Sequence, residues 1–331
     1  MKKLLVVLFI LCFAFSCKSG NTPLTESNKV KDGFVRVPEC EIVGIDPGTA
    51  VVGKDAYWKG VFIQDRKVKF SEFAISQHEL TYKLWKEVYD WAIKNGYSFA
   101  NAGQKGWSDP YDEKSHLEDE PVVLISWRDA VIWCNAYTEM ETKSTAECVY
   151  VASKEKPTVL KNAQDGSSCD ALYFDTAKTG FRLPTEAEWE LASRYQGNNN
   201  VNAQKYGDIY LTNLDSASGA IENIQNQEET SKVAWTSLDS GTQTHKVALK
   251  APNYLKIYDM SGNVAEWCYD IYTDITVETE PTGGKSGDYR VFRGGQYAVG
   301  VEDSCVGIRS TDTTSYVLPA LGFRIVYTTK K

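Results

Sequence analysis

The sequence predicts a single irregular α+β domain in which three helices pack with short antiparallel strands and long loops. Three observations lead there. Apolar residues recur at helical spacing in only three stretches, all before residue 200. The rest of the chain offers short β-branched and aromatic runs between turn residues, with glycine, asparagine, threonine and tyrosine dominant toward the C-terminus. No internal repeat and no linker able to separate globular bodies interrupts it, and 331 residues with 42% hydrophobic content suffice for a large core.

At the N-terminus, Met1-Lys2-Lys3 and the apolar run from Leu4 to Phe15 read as a secretory signal over residues 1–16, too short to span a bilayer comfortably. Ala14-Phe15-Ser16-Cys17 places small residues ahead of a cysteine, and a polar stretch follows. This resembles a bacterial lipoprotein cleavage site, with Ala14 standing where leucine is usual. On that reading Cys17 is the lipidated N-terminus, residues 17–40 are a tether and residues 41–331 are the domain. The protein is then an exported monomer held on the bacterial outer membrane, at the cell surface, by its N-terminal lipid alone. A plain cleaved signal, with Cys17 an ordinary thiol, is the alternative.

Within the domain, Val61-Phe62-Ile63 and the run from Val68 to Ile75 are strand candidates. Leu80, Leu84, Val88 and Trp91 fall on one helical face, and Asn95-Gly96 supplies the stop. Pro121 to Ile125 is a short buried strand. Ser126 with Asp129 three residues on is a capping box for a second helix, whose inner face carries Trp127, Ala130, Val131, Cys134 and Tyr137. Thr185 with Glu188 caps the third helix, with Trp189, Ala192 and Tyr195 inward and Gly197 ending it. Arg290–Phe292 and Phe323–Tyr327 are late strands.

Composition excludes several functions. There are 36 Lys+Arg against 44 Asp+Glu, a formal charge of −8, and no basic block, which argues against nucleic acid. Loss of residues 1–16 removes two lysines, leaving 34 against 44, or −10. The three histidines, His78, His116 and His245, are scattered without an HExxH pattern, so a zinc hydrolase does not fit. Beyond Cys17 six cysteines remain. Cys148 and Cys169 bracket a polar excursion and form the expected disulfide, the alternative being that all six are free thiols.

Few patterns carry chemistry. Gly283-Gly284-Lys285-Ser286 resembles a phosphate loop only faintly, because Thr279 occupies the place of its first glycine; a turn accounts for it. Glu186/Glu188 open a helix, where carboxylates favour the macrodipole, and Glu228/Glu229 sit in a polar loop, so neither pair supports a glycosidase. The tryptophans Trp85, Trp91, Trp127, Trp133 and Trp189 lie on helical faces and are expected in the core. In the segment from Asp259 to Trp267, Asp259 and Glu266 are hard oxygen ligands, and Gly262 can turn carbonyls toward the same point. On spacing alone a capped turn accounts for this segment and calcium is the alternative.

Several of these stretches recur in a fixed order: Pro121-Val122-Val123, Ser126-Trp127 and Asp129-Ala130, then Gly180 to Glu190, Asp259 to Trp267, Arg293-Gly294-Gly295 and Gly322-Phe323-Arg324. Together they resemble the formylglycine-generating-enzyme family, or sulfatase-modifying-factor domain, across about residues 40–327. The resemblance implies a calcium-stabilised C-type lectin-like fold with the ligand site near the C-terminal segment. Its calcium set falls on Asp259, Gly262, Val264 and Glu266. The family's oxidases use two cysteines between the Gly-Gly and Gly-Phe-Arg landmarks to bind copper. Here residues 296–321 hold only Cys305, with Val299 near the first cysteine's place, so no copper and no catalytic residue are expected. The sulfoxide-synthase relatives need non-haem iron and a histidine-bearing partner domain, which these residues do not show.

The segment between the landmarks, Gln296 to Thr311, has neither helical nor strand periodicity. It resembles the same region of variable proteins diversified by retroelements, above all the surface lipoproteins among them. That implies a variable region over 290–326 and a diversified site for an unknown protein or cell-surface ligand. Its expected contact residues are Tyr297, Val299, Gly300, Val301, Glu302, Val306, Ile308, Ser310, Thr313, Tyr316 and Leu318, with Tyr297 and Tyr316 as anchors. Cys305 and Arg309 are expected to be structural, the arginine paired with a carboxylate. The alternatives are an ordinary family loop without binding duty, an accessory lipoprotein of an envelope machine, and an oxidase with an atypical single-cysteine site.

Overall fold

A computed structural model describes residues 30–329 except 49, 54 and 109–115; the signal, Cys17 and the start of the tether lie outside the described residues. Five α-helices occur among them: α1 (Tyr82–Ala92), α2 (Trp127–Thr142), α3 (Gly166–Asp170), α4 (Glu186–Arg194) and α5 (Gln227–Val233). The three helices expected from periodicity are α1, α2 and α4. α3 and α5 are only 5 and 7 residues long, too short to show a repeat. Glu228/Glu229 therefore lie in the first turn of α5 rather than in a loop.

Caps fix the helix starts. Ser126 and Asp129 exchange side-chain and backbone hydrogen bonds at α2, as do Thr185 and Glu188 at α4. α1 starts at Thr81, whose hydroxyl accepts from the Leu84 N–H, and the chain leaves it through Gly96 at φ 82, a left-handed position that suits glycine. α1 and α2 pack through parallel rings of Trp85 and Trp133, 6.1 Å apart, with the Phe323 edge against both. Trp85, Trp127, Trp133 and Trp189 are fully buried and Trp91 partly so, which makes the tryptophans core. Truncating one such residue typically costs about 3–5 kcal/mol.

The sheets are short. In a four-stranded sheet the order is Ser310–Thr313, Tyr289–Arg293, Ala265–Ile271 and Leu321–Gly322, antiparallel except at the last pair. A three-stranded sheet joins Phe34–Val37, Phe73–Ser76 and Val326–Thr328, so both ends of the described chain meet in one place. The fold thus begins before residue 41: Phe34 is buried and packs on Phe181 and Tyr327, and Cys40–Val43 pairs with Lys67–Phe70. Residues 61–63 form no strand; Ile63 makes an isolated bridge to Ile45. Among the described residues no helix is long and apolar enough to cross a membrane.

Candidate functional site

The segment after Gly294-Gly295 leaves the four-stranded sheet as an irregular excursion. Both glycines have positive φ, and a Cβ at Gly295 would sit 2.5 Å from the Asp303 carbonyl oxygen. Only a glycine allows that approach. Hydrogen bonds at its main chain then fasten the segment to four other stretches, around residues 57–60, 214–216, 237–240 and 263. The Tyr297 N–H donates to Asn263 O, the Ser240 hydroxyl donates to Tyr297 O at 2.7 Å, and the Ser237 N–H donates to Val299 O. Further along, the Val306 and Gly307 N–H groups donate to Ser216 and Leu214 carbonyls. Gly307 O accepts from the Gly60 N–H, and the Arg309 N–H donates to Tyr57 O.

Two buried arginines lock the far end to α4. Arg293 donates to Glu186 Oε1 (2.6 Å), Glu190 Oε2 (3.0 Å) and the Val306 carbonyl (2.7 Å). Arg309 grips Glu186 through Nε (2.7 Å) and Nη2 (2.8 Å) and reaches Thr273 O through Nη1. Burial raises the Glu186 carboxyl, but Arg309 and Arg293 outweigh it and bring the pKa down to about 2. The expected carboxylate partner of Arg309 is therefore Glu186, a residue whose position at a helix start accounts for only some of its role.

This framing sorts the expected contact residues. Tyr297, Val301, Val306 and Ile308 are buried, which corrects their assignment as contact residues. Val301, Cys305 and Ile308 pack with Ile224 and the half-buried Trp58, because a fold this irregular fills its loops with aliphatic side chains. Outward-facing residues are Glu302, together with Ala298 and Asp303, which the sequence pattern does not single out; Val299 and Gly300 are half-buried. Ser304–Arg309 are all buried and separate this patch from a second accessible piece. There Ser310 and Thr313 lie half-buried on an edge strand, and Tyr316 and Leu318 are partly buried against the main core. The loops 214–224 and 236–241, bearing the exposed Ile221 and Leu238, also flank the first patch. Nothing in their own sequence marks them, since apart from the Ser240 hydroxyl and the Ile224 side chain the link is made by main-chain atoms.

The expected calcium residues divide. Glu266 is committed: Arg324 donates to both its oxygens at 2.6 Å, and the Trp189 indole N–H donates to Oε2 at 2.7 Å. Asp259 is buried, with Oδ2 accepting from the Ala248 N–H and Oδ1 without a hydrogen-bond partner among the described residues. Glu79 lies beside them, accepting from the Val264 N–H and the Asn263 side chain. Burial, with Asp259 and Glu266 nearby, pushes the Glu79 carboxyl well up, and burial brings Asp259 to about 6. Asp259 Oδ1 thus fits a cation, whereas Glu266 is held by Arg324. Among the described residues no three His, Cys, Asp or Glu side chains are arranged to hold a metal ion.

All six cysteines of the described chain are free, which overturns the Cys148–Cys169 disulfide. The buried Cys148 thiol donates to Asn135 O and the buried Cys169 thiol to Asn162 O, and burial pushes both up to about 12. Cys305 is buried against Val301 O, with burial raising it further. A thiol so protonated is a poor nucleophile or ligand.

The fold and this site define an α+β scaffold of the C-type lectin-like kind whose irregular segment is fastened at its main chain. Residues 29–329 match the sulfatase-modifying factor enzyme 1-like domain, and the chain belongs to that family. It is 25% identical over 98% of its length to a chaperone protein LppX of Paenibacillus barcinonensis, 99% of which is covered. It is 32% identical to the formylglycine-generating enzyme of Thermomonospora curvata over 47% of this chain and 52% of that one. Among solved structures, Treponema denticola variable protein 1 matches with a TM-score of 0.63 at 27% identity, covering 89% of this chain and 94% of the other. The resemblance to the formylglycine-generating-enzyme family and to a variable protein therefore holds.

Proposed function

We propose that this protein is a non-enzymatic, lipid-anchored lipoprotein of the bacterial surface that binds a protein or other cell-surface ligand through the patch 298–303. Specificity is set by the outward side chains, and a retroelement rewrites their codons. One observation carries the reading: Tyr297, Val299, Val306, Gly307 and Arg309 hold the segment through main-chain atoms, while Ala298, Glu302 and Asp303 point outward. Side chains that do not hold the fold can change without unfolding it. The likeness to a variable protein over 89% of the chain supports the same assignment. Calcium belongs to this reading as a structural ion whose ligand here is Asp259 Oδ1, and copper has no role in it.

The full-length likeness to a protein called a chaperone favours a second reading, an accessory lipoprotein of an envelope complex. A photo-crosslinking amino acid at position 302, compared with one at 228 on the exposed start of α5, separates the two on intact cells. The binding reading predicts a discrete adduct from 302 and none from 228. Adducts from 228 alone favour the accessory reading.

A further inference from the structure

On the strand Tyr289–Arg293, Arg293 points into the ion network below the patch, and Arg290, an odd number of positions away, emerges on the opposite face. Arg290 is 3% exposed, yet it makes no ion pair among the described residues. Its guanidinium carbon lies over Trp127, 3.9 Å from the ring centroid. Its Nη1 and Nη2 reach only the Tyr269 and Asp170 carbonyls, at 3.1 and 3.4 Å, and Nε has no partner. A buried guanidinium without an anion is costly, and it is pre-formed for a planar or tetrahedral oxyanion.

That guanidinium lines a cleft of about 330 Å³, within the range of small-ligand sites. Across it stands the turn Thr282-Gly283-Gly284-Lys285, the sequence that faintly resembles a phosphate loop. The turn does not cradle an anion with its own backbone, since the Gly283 and Gly284 N–H groups donate to Glu280 O and Ile271 O. It contributes instead the Lys285 ammonium and the Thr282 hydroxyl. Two carboxylates also line the cleft. Asp170 is neutralised by Arg128, which grips both its oxygens at 2.9 and 2.6 Å, so Glu280 is the acidic group left to meet a ligand's donors.

We propose that this cleft is a binding site for a small oxyanion, the carboxylate or phosphate of a small organic molecule, with Arg290 as its principal contact and Lys285 as the second. It shares no lining residue with the binding patch. Calorimetric titration of the protein with inorganic phosphate and, separately, acetate, at matched ionic strength, tests the site. Binding of at least one anion is expected, weakened about ten-fold in Arg290→Gln through loss of a charge-assisted hydrogen bond and several-fold in Lys285→Ala. Lys285 is exposed, so its replacement cannot act through unfolding, and Arg290→Lys should restore some of the affinity. Preference between the two anions identifies the source. Absence of binding by both, or equal binding by wild type, Lys285→Ala and Arg290→Gln, would overturn the proposal.

Discussion

Glu186 is the residue on which the framing of the patch most depends, and its replacement by glutamine is the sharpest test of that framing. Its carboxylate, 2% exposed, accepts from Arg293 and twice from Arg309, residues 107 and 123 positions away in the chain. A fall from 4.5 to about 2 corresponds to about 3 kcal/mol. Breaking a buried ion pair from one side typically costs about 3–5 kcal/mol, which agrees. Glu186→Gln should therefore lose about 3–4 kcal/mol in urea unfolding at neutral pH, read as a lower midpoint with unchanged slope. The pH dependence has a definite sign. Because the folded carboxyl titrates below the unfolded one, the unfolded chain binds the proton first between about 4.5 and 2. The contribution of Glu186 is fully present above about 4.5 and lost as pH falls through 2, so wild type should fall more steeply than the variant across that window. A loss under about 1 kcal/mol, or equal slopes, would refute the idea that this carboxylate holds the segment.

Other outcomes follow from the same geometry. Ala298→Ser, Glu302→Gln and Asp303→Asn should each change unfolding free energy by no more than about 0.5 kcal/mol, whereas Ile308→Ala should cost about 2–4 kcal/mol through the cavity it leaves beside Ile224 and Trp58. Alkylation of the unreduced, denatured chain from residue 18 onward should add six labels by mass, and a deficit of two would restore a disulfide. Calcium should raise the Tm of wild type but not of Asp259→Asn; equal shifts, or none, would remove Asp259 as a ligand.

Much of this fold is legible in the sequence because its signals are local. The Ser126/Asp129 and Thr185/Glu188 caps span three residues, and apolar residues at helical spacing mark α1, α2 and α4. The N-terminal boundary is not, since Phe34–Val37 is four residues long and is defined only by its partner Phe73–Ser76. Nor is the sorting of residues 296–309. That segment has no period, so burial of Tyr297, Val301, Val306 and Ile308 depends on loops distant in sequence. Glu186 shows the same limit: a carboxylate at a helix start satisfies a local rule, and the two arginines that define its role are far along the chain. A bracketed loop suggests a Cys148–Cys169 pairing, but the structure turns each thiol toward a different carbonyl.

The most direct test of the central claim is to sequence the genomic neighbourhood for a near-copy of the codons for residues 290–326 beside a reverse transcriptase gene. The account predicts a copy differing almost only at adenines, with altered codons among 298–303 and with Gly294, Gly295 and Arg309 unchanged. Absence of a copy, or changes concentrated on the buried positions Val306 and Ile308, would contradict it.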